Sequence, residues 1–493
     1  MSEKIATVSE TNAGRVWLGG DTKSRSLVRV DRMERPEWVI LSVFGACAAV
    51  VMFMRHSVWS FLVGALIAGV GWGLVVRVNL PTVGLDSSIS LWVRTRISWA
   101  VRAWAGVRAG TGDVAPAGLG SILFEDVETP VGIVGVGEHA SVADGGSVGA
   151  YFTATVETQG RARTSGAAWS SLLAHLSSES SPVSHVVQTA RVMAWDSTDH
   201  VAWVAPLAAA SPSADLVNSY AEVVDELARR ASAQRTWVTF RIPLEEVTAM
   251  ERTMTPAALV ARVVADVVER ADDFGIAMRP LSVLGRGALA RHMMDPSMSP
   301  DDLDGITESW VGVWPSWKAT DDGWCVDIHG AAGTWRASLW EVPASHIVPG
   351  WMSRDWLYQA LRDVERVPVR TFVVAAEVQP RSEAAKTAQS DHTSDLAHLN
   401  KTQGTVSTGQ EDAQAGSSAV RVSDLAPEMQ AGGVRWSMAV GIHASPETWR
   451  DAARHMAAAL EDCYIENPVR LRYRQDQVLP WMLGMGLAWK KGR

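Results

Sequence analysis

The chain has 493 residues, long enough for two or three domains. Charged residues make up 20% and the formal net charge is -9, too mild an excess to give the whole chain a polyanion-binding surface, so direct nucleic-acid binding is not expected. Cys47, Cys325 and Cys463 are isolated from one another, which excludes a disulfide framework and a cysteine-spaced metal site and fits a reducing compartment.

Residues 1–35 are polar and rich in Ser and Thr, and read as a flexible cytoplasmic arm. Two uncharged apolar runs follow between Trp38 and Val76, separated by Arg55-His56-Ser57. Each is close to the length of about 20 residues that spans a hydrocarbon core. Two helices buried in a soluble core would carry a polar stripe at the helical period, and these carry none. Residues 36–78 are therefore predicted to form a two-helix transmembrane hairpin, its backbone groups satisfied internally. Gly45 and Ala49, and Ala65, Gly69 and Gly73, recur every four residues and are candidates for close helix packing within it. Basic residues crowd both flanks, from Lys4 to Arg35 and from Arg77 to Arg108, whereas the link holds only Arg55. This places both termini in the cytoplasm of a multi-pass protein of the inner cell membrane.

Residues 79–110 read as a joint carrying an amphipathic helix in which Trp92, Trp99 and Trp104 mix with Arg94 and Arg102. That mixture suits a helix at the membrane interface, Trp inward and Arg toward phosphate. It equally suits a helix packed on the next domain. From residue 111 onward, strands and helices alternate. Val238, Phe240 and Ile242 mark a strand by strict alternation, and Thr255-Pro256 caps a helix with Val260, Val264 and Val268 spaced four apart. Two α+β subdomains are expected, 111–295 and 296–493. The overall class is then α+β, a transmembrane hairpin followed by a mixed α/β cytoplasmic body of one or two sheet-helix layers. Residues 380–430 are a polar excursion, a linker or a pair of exposed helices, and the strands flanking it, 369–378 and 434–442, are expected to pair. Val469, Leu471 and Tyr473 alternate with Arg470, Arg472 and Arg474, an arginine row that suits a solvated sheet face better than a site for phosphate or an acidic partner.

No catalytic constellation emerges. The chain has no Gly-Lys dipeptide and hence no phosphate loop of that kind, no H-E-x-x-H and no paired C-x-x-C. Gly145-Gly146-Ser147-Val148-Gly149 matches a nucleophile elbow by letter, but a Gly-rich turn running into a strand is not its setting. The stretch from Ser299 to Gly305 resembles a calcium loop whose first ligand position would fall on Pro300, so helix capping explains it better. No catalytic residue, metal ligand or cofactor is expected.

The order of parts resembles a family of actinobacterial conjugation proteins, in which a PrgI-like two-span segment is fused to a module similar to the N-terminal part of the conjugation ATPase. The resemblance rests on the hairpin, Val78-Asn79-Leu80-Pro81, the strand entry from Gly118, the strand, polar excursion, strand order of 369–442, and Arg472-x-x-Gln475-Asp476-Gln477-x-Leu479-Pro480. It implies a non-catalytic inner-membrane scaffold of a conjugation or type IV secretion machine, active in protein transport. Its partners would be the lipid bilayer, a separate secretion ATPase in place of the missing motor domain, and other membrane subunits in an oligomeric complex. The alternative is a component of a type VII secretion machine resembling EccE.

Overall fold

The computed structural model describes residues 15–18, 35–54, 58–75, 77–80, 85–106, 108–110, 121–124, 132–137, 150–158, 166–194, 204, 213–230, 232–243, 246, 255–310, 312–342, 346–348, 350–353, 356–362, 366–402, 410–425, 433–466 and 468–486. Near the N-terminus, β1 (Arg15–Leu18) precedes α1 (Arg35–Met54) and α2 (Val58–Val75), which pack together. The small hairpin β2 (Arg77–Leu80) with β3 (Leu85–Ser88) leads into α3 (Ile89–Trp104).

The body is one antiparallel sheet of thirteen strands. In chain order its first half is β4 (Ala109–Gly110), β5 (Ser121–Phe124), β6 (Ile133–Gly137), β7 (Ala150–Thr158), β8 (His185–Ala194), β9 (Ser232–Pro243) and β10 (Met278–Pro280). Its second half is β11 (Ser316–Ala319), β12 (Val326–Gly330), β13 (Gly333–Val342), β15 (Val369–Gln379), β16 (Gly433–Ala444) and β17 (Val469–Arg470); β14 (Gly350–Ser353) instead pairs with β1. The two halves repeat one topology. Strands β5-β6-β7-β9-β8 lie side by side in one, and β11-β12-β13-β16-β15 in the other. β10 adds to β7 as β17 adds to β13. The repeats join through β8 and β15, antiparallel, with Thr189 opposite Val373. An antiparallel seam between like strands relates the halves by an approximate twofold axis normal to the sheet.

Helices cover both faces. On one face α4 (Gly166–Leu176) and α6 (Pro256–Asp273) press Leu172, Val260 and Val264 onto Val156, Val238 and Phe240 of the first repeat. In the second repeat α8 (Tyr358–Arg362) and α11 (Trp449–Asp462) bring Ala360, Trp449 and Met456 onto Trp340, Phe372 and Val440. The other face carries α7 (Val283–Met294), then α12 (Gln475–Val478) and the turn Leu479–Met482. Leu289, Met293 and Met482 there meet Val187, Trp237 and Val373 from both repeats. Burying each such side chain stabilises by about 1.5–3 kcal/mol, so this shared core welds the repeats together. Between the strands of each seam partner stand further helices: α5 (Ala214–Arg230) after β8, and α9 (Arg381–Thr402) with α10 (Gln410–Asp424) after β15. β15 and β16 pair along their whole length, so the polar stretch is an excursion from one sheet.

The structure corrects the membrane assignment and the length of the last strand. Among the described residues no helix is long and apolar enough to cross a membrane. Arg35 and Glu37 occupy the first turn of α1, which leaves Trp38 to Met54, about 26 Å of apolar helix at roughly 1.5 Å per residue. The 18 residues of α2 give about 27 Å, and a hydrocarbon core is about 30 Å thick. The transmembrane hairpin, the membrane and transmembrane assignments built on it, and the multi-pass inner-membrane location with both ends cytoplasmic are therefore withdrawn. The α+β class holds for the body, whose strands form a single continuous antiparallel sheet with helices on both faces. The last strand is also shorter than its alternation suggests. Only Val469 and Arg470 pair, because Tyr473 turns away in a left-handed conformation with φ of 62°.

Candidate functional site

The site best defined by side-chain geometry is the joint where α3 docks on the second repeat. Trp99 of α3 is buried, its ring edge-on to Tyr473 with centroids 5.6 Å apart. Arg108 lays its guanidinium 3.8 Å from the Trp99 ring centroid and donates to Asp321 at 3.2 Å. One turn beyond Trp99, Arg102 donates from Nε to Oδ2 of Asp476 at 2.9 Å and from Nη2 to the Tyr473 carbonyl at 2.9 Å, while Nη1 reaches Ser98 Oγ at 2.6 Å. The Asp476 side chain is wholly buried, so Arg102 supplies the counter-charge that burial requires.

From Tyr473 a ladder of alternating cations and rings runs outward along the repeat. Arg96 and Arg472 lie 4.4 and 4.6 Å from the Tyr473 ring; Arg472 also lies 4.5 Å from Trp324. Arg470 stands among Trp324, Trp340 and Trp449 at 4.9, 5.3 and 5.0 Å. Burial pulls the Arg470 pKa down to about 10, since its hydrogen-bond acceptors, Ser338 Oγ and the Trp324 carbonyl, are neutral. Arg336, near Trp449, is held instead by a two-pronged bond to Asp327 at 2.6 and 3.0 Å, which raises its pKa. Stacked guanidinium and indole groups resist rotation and exclude water from each other, so the ladder acts as a stiff rib rather than as an open anion cradle.

The structure thus gathers Trp99 and Arg102 into the joint. Trp104, at the end of α3, is 91% exposed. The surroundings of Trp92, Arg94 and Gly73 lie outside what the structure describes. In the helical hairpin Gly45, Ala49, Ala65 and Gly69 are all exposed, and a Cβ at Gly45 or Gly69 would meet nothing within 4 Å. The helices close through a different set: a Cβ on Gly64 would fall 2.5 Å from Met52 Cγ, and one on Gly71 would meet the Phe44 side chain, with Ala48 buried between.

Sequence reasoning missed Asp476 and Tyr473 as partners of α3; the arginine row and the Trp content of α3 were the available signals. The Gly145–Gly149 string lies outside the described residues. Among the described residues no group of three or more His, Cys, Asp or Glu is placed to hold a metal ion. Burial pushes the Cys325 thiol up to about 11 and raises that of Cys463, the reverse of what a thiolate nucleophile needs. No family model matches the sequence, and comparison with curated proteins finds no match either.

Proposed function

We propose that the chain is a non-catalytic assembly subunit of a conjugation or type IV-like secretion machine, one that orders a separate ATPase chain within an oligomeric complex. The machine is inferred from the resemblance of the strand, excursion, strand arrangement and of the Arg472 to Pro480 stretch to the N-terminal module of conjugation ATPases. The observation that carries the scaffold reading is the joint itself. It fixes an apolar hairpin, with Trp59, Phe61 and Leu66 each more than 60% exposed, to a rigid duplicated body through a buried ion pair and a cation-ring ladder. Large apolar side chains left exposed along a helix of a folded chain mark a place where another macromolecule sits. A rigid connection lets binding at the hairpin set the position of whatever the sheet body holds, which is the mechanical requirement of a scaffold.

Affinity purification of the tagged full-length chain from its native cells tests the proposal. Recovery with a conjugation ATPase, weakened when Trp59 and Phe61 are changed to Ser, is the expected result. Recovery with type VII core subunits instead would reassign the machine, and nucleotide turnover by the purified chain alone would contradict a non-catalytic role.

A further inference from the structure

A second polar cluster lies on the other side of the joint, in the middle of the sheet and under α7. Arg191 of β8 stands opposite Thr371 of β15, and Thr371 opposite Gly441 of β16. Two residues further along β16, His443 lies opposite Val369 and Ala337. Directly opposed residues of antiparallel strands share a face, so Arg191, Thr371 and His443 all face α7, with Thr189 one step along β8. All four are 1% exposed or less. Above them, Arg191 Nη1 donates to the His292 carbonyl at 2.8 Å and touches Met293 Sδ at 3.2 Å.

Those contacts leave Arg191 Nε and Nη2, both ring nitrogens of His443, and the hydroxyls of Thr189 and Thr371 without a hydrogen-bond partner among the described residues. Among the described residues Arg191 makes no ion pair. The carboxylate whose charge acts on it, Asp295, is committed elsewhere, accepting from Ser297 Oγ at 2.5 Å and from the Ala331 amide at 2.7 Å. His292 offers no anionic partner: its Nδ1 bonds the Met298 carbonyl at 2.6 Å, so Nδ1 carries the proton and Nε2 is a bare lone pair. An unpaired buried guanidinium costs several kcal/mol, and unpaired donors converging on it add to that. A negative charge at this point would offset both.

We propose that the Arg191, His443, Thr371 cluster is an internal binding site for one small inorganic anion, a halide or a compact oxyanion. The guanidinium Nε–H and Nη2–H supply a paired donor fork, an imidazole N–H of His443 a third donor, and the Thr371 hydroxyl a fourth. Small size follows from enclosure, since the sheet closes the site below and α7 closes it above. Burial lowers the Arg191 pKa to about 9, which still leaves the guanidinium charged near neutral pH, and holds that of His443 well below its ordinary value, which leaves a neutral ring with one N–H to donate.

Thermal melts of the full-length chain in sodium bromide and in sodium phosphate, at ionic strength held constant with sodium methanesulfonate, test the site. A saturable rise in Tm with bromide or with phosphate is expected, the responding salt showing whether the site takes a halide or an oxyanion. Arg191→Met and His443→Leu should each weaken the apparent affinity about tenfold or more. Bromide-soaked crystals, read by anomalous scattering, give an answer that does not depend on either variant folding. In the halide case a peak lies within hydrogen-bond distance of Arg191 Nε; in the oxyanion case phosphate density does. Absence of any saturable response, a response unchanged in both variants, or ordered water alone at Arg191 would overturn the proposal.

Discussion

Arg102 and Asp476 are separated by 374 positions in sequence, yet the guanidinium of one closes on the buried carboxylate of the other at 2.9 Å. The pair ties the helix that follows the apolar hairpin to the last turn of the second repeat. It lies beside Gln475, whose side chain accepts from the Leu339 amide and donates to the Leu339 carbonyl. The joint is thereby anchored to the middle of the sheet rather than to a loop.

Removing the cation while leaving the acid should therefore be costly. Arg102→Met leaves Asp476 buried without its partner, an effect worth about 3–5 kcal/mol. Asp476→Asn retains an oxygen acceptor for Arg102 and should cost less. Denaturant unfolding measures the ranking, and hydrogen exchange over residues 89–104 should rise more in the first variant. Equal protection of α3 in both variants and the parent would show that the pair does not hold the helix.

Within the apolar hairpin, the position of each glycine decides the outcome of adding a methyl group. Gly64→Ala places a Cβ 2.9 Å from the Ala48 carbonyl oxygen as well as against Met52, and backbone cannot swing aside. Overpacking of this kind costs about 1–3 kcal/mol. Gly69→Ala has open space around it and gains helix propensity, so it should be neutral or stabilising by up to about 1 kcal/mol. Opposite shifts in Tm are expected, and a matching loss in both would disprove the packing described for the hairpin.

The contrast also shows where sequence stops informing. Four-residue spacing of small residues identifies a smooth stripe but not which way the stripe points, and the stripe through Gly45, Ala49, Ala65 and Gly69 points outward. The same limit applies to α5, where helical spacing puts Leu216, Tyr220 and Val223 on one face, yet Leu216 and Val223 are exposed and Val224 is buried. Alternation was more informative, because a strand has only two faces: β9 and β16 follow Val238, Phe240, Ile242 and Val440, Ile442 into their cores. Likewise Thr255 accepts from the Ala258 amide at the start of α6, with Val260 and Val264 buried beneath it. The duplication of the body was invisible because it resides in strand order and pairing, while the facing cores are filled by different residues, Phe240 and Val260 in one repeat and Trp340 and Met456 in the other. The joint was half legible: the Trp and Arg content of α3 allowed either a membrane interface or a packed helix, and only long-range contacts identify Tyr473 and Asp476 as its partners.

A charged network fastens the edge of the first repeat to the connection after α7. Glu157 accepts from Arg235 Nη2 at 2.6 Å and from Arg279 at 2.5 Å, and Arg235 continues to Asp301 at 2.6 Å. Glu157 is buried, so its two cationic partners lose a shared acceptor in Glu157→Gln, a change expected to cost about 1.5–3 kcal/mol. Asp301 is largely exposed, and Asp301→Asn should cost clearly less. Urea unfolding of the two variants measures the order, and reversal would place the weight of the network at its outer end.

Acid should weaken the fold before its carboxylates titrate. His185 has its pKa lowered to about 4, first by burial and then by the nearby Arg241 charge. His292 and His443 are held well below their ordinary value by burial and by Arg191. In the unfolded chain these rings take up protons near pH 6.5. The folded chain resists doing so, so below that pH the unfolded state binds more protons and stability falls as pH falls. For His185 the contribution is fully present above pH ~6.5 and declines through the window down to about 4. His185→Gln removes the titrating ring while keeping a side chain able to bond Ser184, whose Oγ lies 3.0 Å from Nδ1. Unfolding midpoints in urea, measured from pH 7 to pH 4 at roughly half-unit steps, should fall less steeply for that variant than for the parent. Parallel curves would mean that His185 is solvated and ordinarily basic in the folded chain, and that the early acid sensitivity belongs to His292 of α7 and to His443 beneath that helix.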